Sequence, residues 1–587
     1  MQAVNTDETR ACPAAVNRRI ALLALFHVAL AQGGFAQEPQ TRPTADLLIV
    51  NAKVWTAADG KSAGQPGEPT AIAVTGNKIA AVGTDAEIRA LAGGGARTID
   101  AAGRRVIPGM TDSHVHLIGG GFQLHQLDLR GAANRGEFVK AIGEAAKAKK
   151  PKEWVTGGRW SVESWPNPES PQAVWIDAVT GDVPVFLPRM DGHQALVNSV
   201  ALKHGGIDSN GPMDPAGGEI ERDPTTRQPT GILKESAMDL VRKLIPPPTD
   251  PQRSEALSAA MRHANSLGVT SVHAMAGFDE LKAFRRAAEE KSLTVRITAY
   301  LSVDDWWLYL EEMGGNRFGL RGPMASVVGF KGYMDGSLGS RNAYMREPFA
   351  DAASTSPYPR GQLNPFASSP EAFLRSILNA DKRNAQIAVH AIGDEANHLL
   401  LDAYEQAIKQ NGRSGALHRI EHAQHLLLED IPRFAKLGVV SSMQPFHKAD
   451  DGRYAEKALG RSRLAGSYAF RQLVDSKALL IFGSDWPVVN MNPFSGIDAA
   501  VNSRTLSGEV WLPDHSLTLE EALRAYTAWP ARAIHREREL GTIETGKFAD
   551  LVMLTDDPFT MPGDRIGQTR VALTIVDGKI AYEAEKE

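Results

Sequence analysis

Eight short apolar runs rich in β-branched residues, most of them separated by helical stretches, limit what this chain can fold into. They are Arg105–Leu117, Gly268–Gly277, Thr294–Val303, Ser326–Gly336, Gln386–Asp394, His418–Gln424, Gly438–Pro445 and Ala478–Pro487. Stretches such as Ser254–Leu267 and Asp279–Ser292 carry helical periodicity between them. Continuous apolar strands each followed by a helix belong to a parallel sheet covered by helices, and eight such units predict a (β/α)8 TIM barrel. The gap between the first and second runs is too long for one helix. Residues from about 123 to 248 are therefore read as a large insertion that packs over the barrel mouth.

Both ends of the chain look different. Asp46–Thr56, Ala71–Thr84 and Arg97–Met110 near the start, and Gly541–Pro558 and Val571–Glu583 near the end, alternate in hydropathy and are broken by Gly-Asn and Gly-Thr turn signals. They predict a composite β-sandwich built from residues 37–105 and 537–587, with the barrel, 106–536, inserted into it. Ahead of it, Arg18 and Arg19 precede the apolar run Ile20–Leu30 and the small-residue stretch ending at Ala36. That order predicts a signal peptide over 1–36, cleavage after Ala36, and export to the periplasm or medium. The run is too short for a stable membrane anchor. Cys12, the only cysteine, lies within that leader. A metal site in the mature chain must then use His, Asp, Glu or Lys. A net charge of -5 without basic tracts argues against a nucleic-acid partner.

Polar residues gather where the strands end. In a TIM barrel that end carries the active site, so their position is informative. The first strand closes in Asp112-Ser-His114-Val-His116, and a strand's alternation points both imidazoles to one side. His390 ends the fifth strand, His422 the sixth and Asp485 the eighth, while Lys331 lies in the fourth. Nitrogen and carboxylate donors of this kind suit zinc or a similar first-row ion. A cationic lysine is a poor ligand, but a buried neutral one can add carbon dioxide to form a carbamate. On residues alone, Lys331 either does this, pairs with Asp335 or points outward.

With these residues in place, a resemblance emerges. Pro108–His116, His390, His422, Asp485 and the closing Gly541–Val552 resemble the amidohydrolase superfamily. Met190–Leu202, Gly231–Ser236, Gly332–Ala343, His390–Asp394 and Met443–Pro445 are similar to its family 3 branch, which includes N-substituted formamide deformylases. The resemblance implies two divalent metal ions, most simply zinc, although the superfamily also uses single-metal sites. His114, His116 and Asp485 would hold the more buried ion and His390 and His422 the second, with Lys331 bridging them as N6-carboxylysine. It further implies hydrolysis of a carbon–nitrogen bond (N-formyl, N-acyl or cyclic amide, not peptide) by a metal-bridging hydroxide, with Asp485 as general acid and base.

His193, inside the insertion, is a candidate catalytic contact to the substrate or its oxyanion. Trp160 and Trp165 are candidate walls of an apolar pocket, and Arg341 and Gln444 candidate substrate contacts. Two other readings stay open. Deaminase-type chemistry usually places a Glu three residues after the fifth-strand His, where this chain has Gly393. A non-catalytic ligand-binding or regulatory barrel would be expected to have lost ligands, yet all six are present. The partners expected are a small-molecule amide and, at most, a second copy of the chain as a homodimer.

Overall fold

The computed structural model describes residues 44–585 except 151, 161, 163–164, 168, 190–193, 216–217, 304–321, 353–357, 365–366, 368 and 414. The leader call over 1–36 and His193 lie outside the described residues.

All eight runs form strands of one sheet. They are β1 Met110–Val115, β2 Val269–Ala276, β3 Arg296–Ser302, β4 Ala325–Tyr333, β5 Gln386–Ala391, β6 Arg419–His422, β7 Val440–Met443 and β8 Leu479–Phe482. Each pairs in parallel with its sequence neighbour. The two ends of the sheet meet just past the strands: the Asp485 amide donates to His114 O at 2.7 Å and the His116 amide to Trp486 O at 2.8 Å. This is the nearly closed barrel that the repeated pattern predicts.

Side-chain parity divides the strands cleanly. Val272, Ala274, Ile297, Ala299, Ile387, Val389 and Ile420 join the large apolar core shared with the surrounding helices. Residues of opposite parity, His273, Tyr300, His390, Arg419 and Glu421, therefore face the barrel interior. Barrel interiors are usually layers of branched apolar side chains. This one is polar through its middle, with Arg419 and Glu421 both fully buried there.

The first run is not a single strand. Arg105–Pro108 pairs with Lys53–Val54 and Leu551–Met553 in a separate five-stranded sheet, and β1 starts only at Met110. Gly109 stands at the crossing, where a Cβ would lie 2.2 Å from the Thr270 hydroxyl oxygen. That sheet continues with Val571–Val576 and Lys579–Glu583, so it draws strands from both ends of the chain. A four-stranded sheet of Ala45–Val50, Ala71–Thr75, Lys78–Gly83 and Ala92–Asp100 shares an apolar core with it, in which Leu47, Ile49 and Ile72 meet Leu551, Leu573 and Ile575. Arg296 of β3 ties the barrel to these strands, donating to Asp550 at 2.6 Å and Asp577 at 2.9 Å.

The insertion leaves after helix Leu117–His125 and returns at helix Asp250–Ser266. Those two helices touch so closely that a Cβ on Gly121 would lie 2.0 Å from Ala256 O. Between them lies an antiparallel sheet of Phe186–Pro188, Gln194–Val197, Pro229–Glu235 and Gly218–Arg222, with apolar cores of its own. Among the described residues no helix is long and apolar enough to cross a membrane.

Candidate metal centre at the barrel mouth

The nearly closed barrel brings the six expected ligands to one end. His114 and His422 end or nearly end their strands, His116 begins the helix after β1, and Asp485 follows β8 by three residues. Donor atoms of His114, His422 and Asp485 lie within 4.8 Å of one another, and all three side chains are buried. Asp485 Oδ1 is 3.4 Å from His114 Nε2 and 3.3 Å from His116 Nε2. The His390 ring centroid is 4.5 Å from that of His422, and the His422 centroid 5.0 Å from that of His114. His422 and Asp485 both hold left-handed backbone, with φ of 75° and 61°. Such conformations cost about 1–3 kcal/mol each and gather at functional sites.

Each buried imidazole is turned by a partner on its far nitrogen. His114 Nδ1 lies 2.5 Å from Glu421 Oε2, and His422 Nδ1 lies 2.7 Å from Gln444 Oε1. Since a carboxylate only accepts, His114 carries its proton on Nδ1 and presents a bare Nε2; the Gln444 amide does the same for His422. His390 is held the other way round, with Nε2 3.2 Å from Gly336 O, leaving Nδ1 for the cluster. Glu421 is in turn gripped by Arg419, whose Nε and Nη2 donate at 2.7 and 3.0 Å.

The electrostatics agree with this tautomer assignment. Burial pushes His114, His390 and His422 below the usual histidine range, His390 to about 3, so all three are neutral. Burial would raise Asp485, but attraction to any proton held by His114, His116 or His422 outweighs it and keeps the carboxyl well below its ordinary range, so the carboxylate is the anion of the cluster. Glu421 is likewise pulled to about 2 against its burial by Arg419 and His114. Burial draws the Lys331 ammonium down to about 8, with Glu421 and Asp485 pulling the other way.

Lone pairs of neutral imidazoles therefore face an anionic carboxylate whose buried Oδ1 makes no hydrogen bond. This arrangement is repulsive without a cation in its midst and well suited with one. The donor set fits a divalent metal.

The remaining expectations fare differently. Asp335 does not pair with Lys331: its carboxylate takes the backbone amides of Tyr344, Ile392 and Gly393, at 2.8, 3.0 and 2.8 Å. The Lys331 Nζ instead donates to Gly332 O at 3.3 Å and sits 3.5 Å from the centroid of the Tyr333 ring. Gln444 orients His422, a role its sequence position did not suggest. Trp160 and Trp165 are buried in the insertion's core against Phe138, their indole N–H groups donating to Leu187 O and Ala132 O. Arg341 is committed to a bidentate pair with Asp351, at 2.9 and 2.6 Å. Glu421, Arg419 and Asp112 were missed. No signal for the first two stood in the sequence, because strand alternation from the ligand His422 would turn Arg419 and Glu421 outward, and only the left-handed backbone at His422 lets all three serve one site.

Known proteins give the same picture. The profile described as amidohydrolase family matches residues 97–582. The chain is 34% identical over 557 residues, 93% of each chain, to the protein LONG AFTER FAR-RED 3 of Arabidopsis thaliana. It is 28% identical to the N-substituted formamide deformylase of Arthrobacter pascens, over 92% of this chain and 98% of that one. Among solved structures, an uncharacterized metal-dependent hydrolase of Pyrococcus horikoshii superposes with a TM-score of 0.73 at 27% identity, covering 88% of this chain and 99% of the other. With its barrel, its donor cluster and a family match that spans most of its length, the chain belongs to the amidohydrolase family, and it is a hydrolase.

Proposed function

We propose that the enzyme hydrolyses a non-peptide carbon–nitrogen bond of an N-formyl, N-acyl or cyclic amide, using two zinc ions and Asp485 as the proton carrier. The observation that carries this reading is the unpartnered Oδ1 of Asp485 among imidazoles whose far nitrogens are tied by Glu421 and Gln444. His114, His116 and Asp485 would hold one ion, and His390 and His422 the second. Lys331 would join them as a carbamate, a reading supported by its burial and lowered ammonium pKa. When bound, such ions make water acidic enough to supply hydroxide near neutral pH and polarise the scissile carbonyl.

The chain's own residues supply the rest. Asp485 stays anionic, and its carboxylate can take a proton from the attacking water. Water adds through oxygen to the carbonyl carbon, the proton passes from Asp485 to the leaving nitrogen, and the C–N bond breaks to release an acid and an amine. The likeness to the Arthrobacter pascens deformylase supports an N-formyl substrate. The charged, apolar and small segments of residues 18–36 support export.

The test is metal content per purified chain together with hydrolysis of N-formyl, N-acyl and cyclic amides. Near two equivalents of zinc, with chelator-sensitive turnover that Asp485→Asn abolishes, is the expected result. A chain that takes up no metal and turns over none of the panel overturns the proposal.

A further inference from the structure

We infer that Arg419 and Glu421 are positioning residues that make the His114–His116–Asp485 position bind metal more tightly than the His390–His422 position. The inference rests on the metal-centre reading above and adds an order of filling to it.

The three buried imidazoles have unequal supports. His114 leans on a carboxylate at 2.5 Å, His422 on a neutral carboxamide at 2.7 Å and His390 on a backbone carbonyl at 3.2 Å. An anionic acceptor draws the Nδ1 proton toward itself and leaves Nε2 a stronger donor than a neutral acceptor does. Asp335 Oδ1 also lies 3.5 Å from His390 Nε2, but it makes no hydrogen bond to that ring and is taken up by three backbone amides. Asp485 adds its negative charge between His114 and His116, reinforcing the same position.

Arg419 explains how a bare carboxylate is kept there. A buried ion pair in a barrel interior often stabilises no more than apolar packing would, so its presence calls for another reason. Here the guanidinium holds both Glu421 oxygens and is itself fixed by the Tyr300 hydroxyl and Ser442 Oγ, each at 2.9 Å, and by Ser113 O at 2.7 Å. Ser113 adjoins His114 in β1. The fork therefore sets Glu421 in register with the histidine that it orients.

Titration of the metal-free chain with Zn²⁺ against a chromophoric chelator, and with Co²⁺ followed by visible absorption, tests this. Two steps are expected, the first at least about tenfold tighter. Glu421→Gln, which keeps the shape and removes the charge, should weaken the first step by about ten- to hundredfold and leave the second in place. Gln444→Glu should tighten the second and draw the steps together. Equal affinities in the unsubstituted chain overturn the inference, as does a Glu421→Gln variant that weakens both steps alike, the signature of a merely structural loss. Should that variant fail to fold, an unmoved second step in Gln444→Glu is enough to overturn it. Uptake of two ions in one step removes only the order of filling, whereas no uptake at all removes the metal centre with it.

Discussion

Asp112 and Ser484 are joined twice across the seam where the barrel closes: Oδ1 of Asp112 accepts the Ser484 amide at 2.9 Å, and Oδ2 accepts its hydroxyl. The same Oδ1 takes the His114 amide at 3.2 Å. One carboxylate thus holds His114 itself and the residue before Asp485. Asp112→Ala leaves three donors without it and should cost about 1–3 kcal/mol in a denaturant titration. Turnover should fall more than about tenfold, because the two ligands lose their common anchor. Full activity in a destabilised variant would show that the seam is structural only.

Gly120 offers a second handle on Asp485. A Cβ there would lie 2.2 Å from the ring of Trp486, whose own backbone binds His116. Gly120→Ala should destabilise the fold by about 1–3 kcal/mol and depress kcat/KM by displacing Trp486 and the aspartate before it. Pairing it with Trp486→Leu, which clears the space, should recover part of the stability in thermal melts.

Lys448 gives a pH dependence through a group that is none of the expected ligands. It is buried, donating to Ser503 Oγ at 2.6 Å and Leu512 O at 3.2 Å, and burial lowers its pKa to about 7 from 10.5. Between these values the unfolded chain binds the extra proton, so this group's contribution to stability rises as the pH rises from about 7 toward 10.5 and is flat below. Lys448→Met should therefore gain most over the unsubstituted chain at pH 7 and lose that advantage by pH 10. A stability difference independent of pH would exclude the titration.

Removing metal should loosen the whole barrel mouth, because His114, His422 and Asp485 crowd together from three strands. An ion that binds only the folded chain, at a hundredfold excess over its Kd, adds about 2.7 kcal/mol. Chelation should lower the melting temperature and zinc should restore it. An unchanged melt would mean that nothing binds there.

Trp165→Phe deletes the indole bond to Ala132 O at 2.7 Å and should cost about 1 kcal/mol of stability. Its KM for a good substrate should stay as it was. Altered substrate preference would return this tryptophan to the pocket wall.

The strands were legible because apolar runs with strand-end histidines are a property of local sequence. His390, His422 and Asp485 could be placed from it, since each stands where an apolar run stops. Glu421 and Gln444 could not, because what they do depends on which strand lies beside them: Glu421 of β6 reaches His114 of β1, 307 positions away. Arg419 sits in a run that reads as core, and only the parity of the closed sheet shows it pointing inward. The break at Gly109 was hidden for a related reason, as both halves of the run are apolar and only their partners differ. Tryptophans with polar tips look alike in sequence whether they line a pocket or fill a core.

The meeting of the Asp485 amide with His114 O sets a condition on how the enzyme comes into being. First and last strands must dock before the donors share one space, so a chain emerging from the ribosome has no working centre until nearly all of it has been made. Copies cut short of Asp485 lack both this seam and one of the clustered donors.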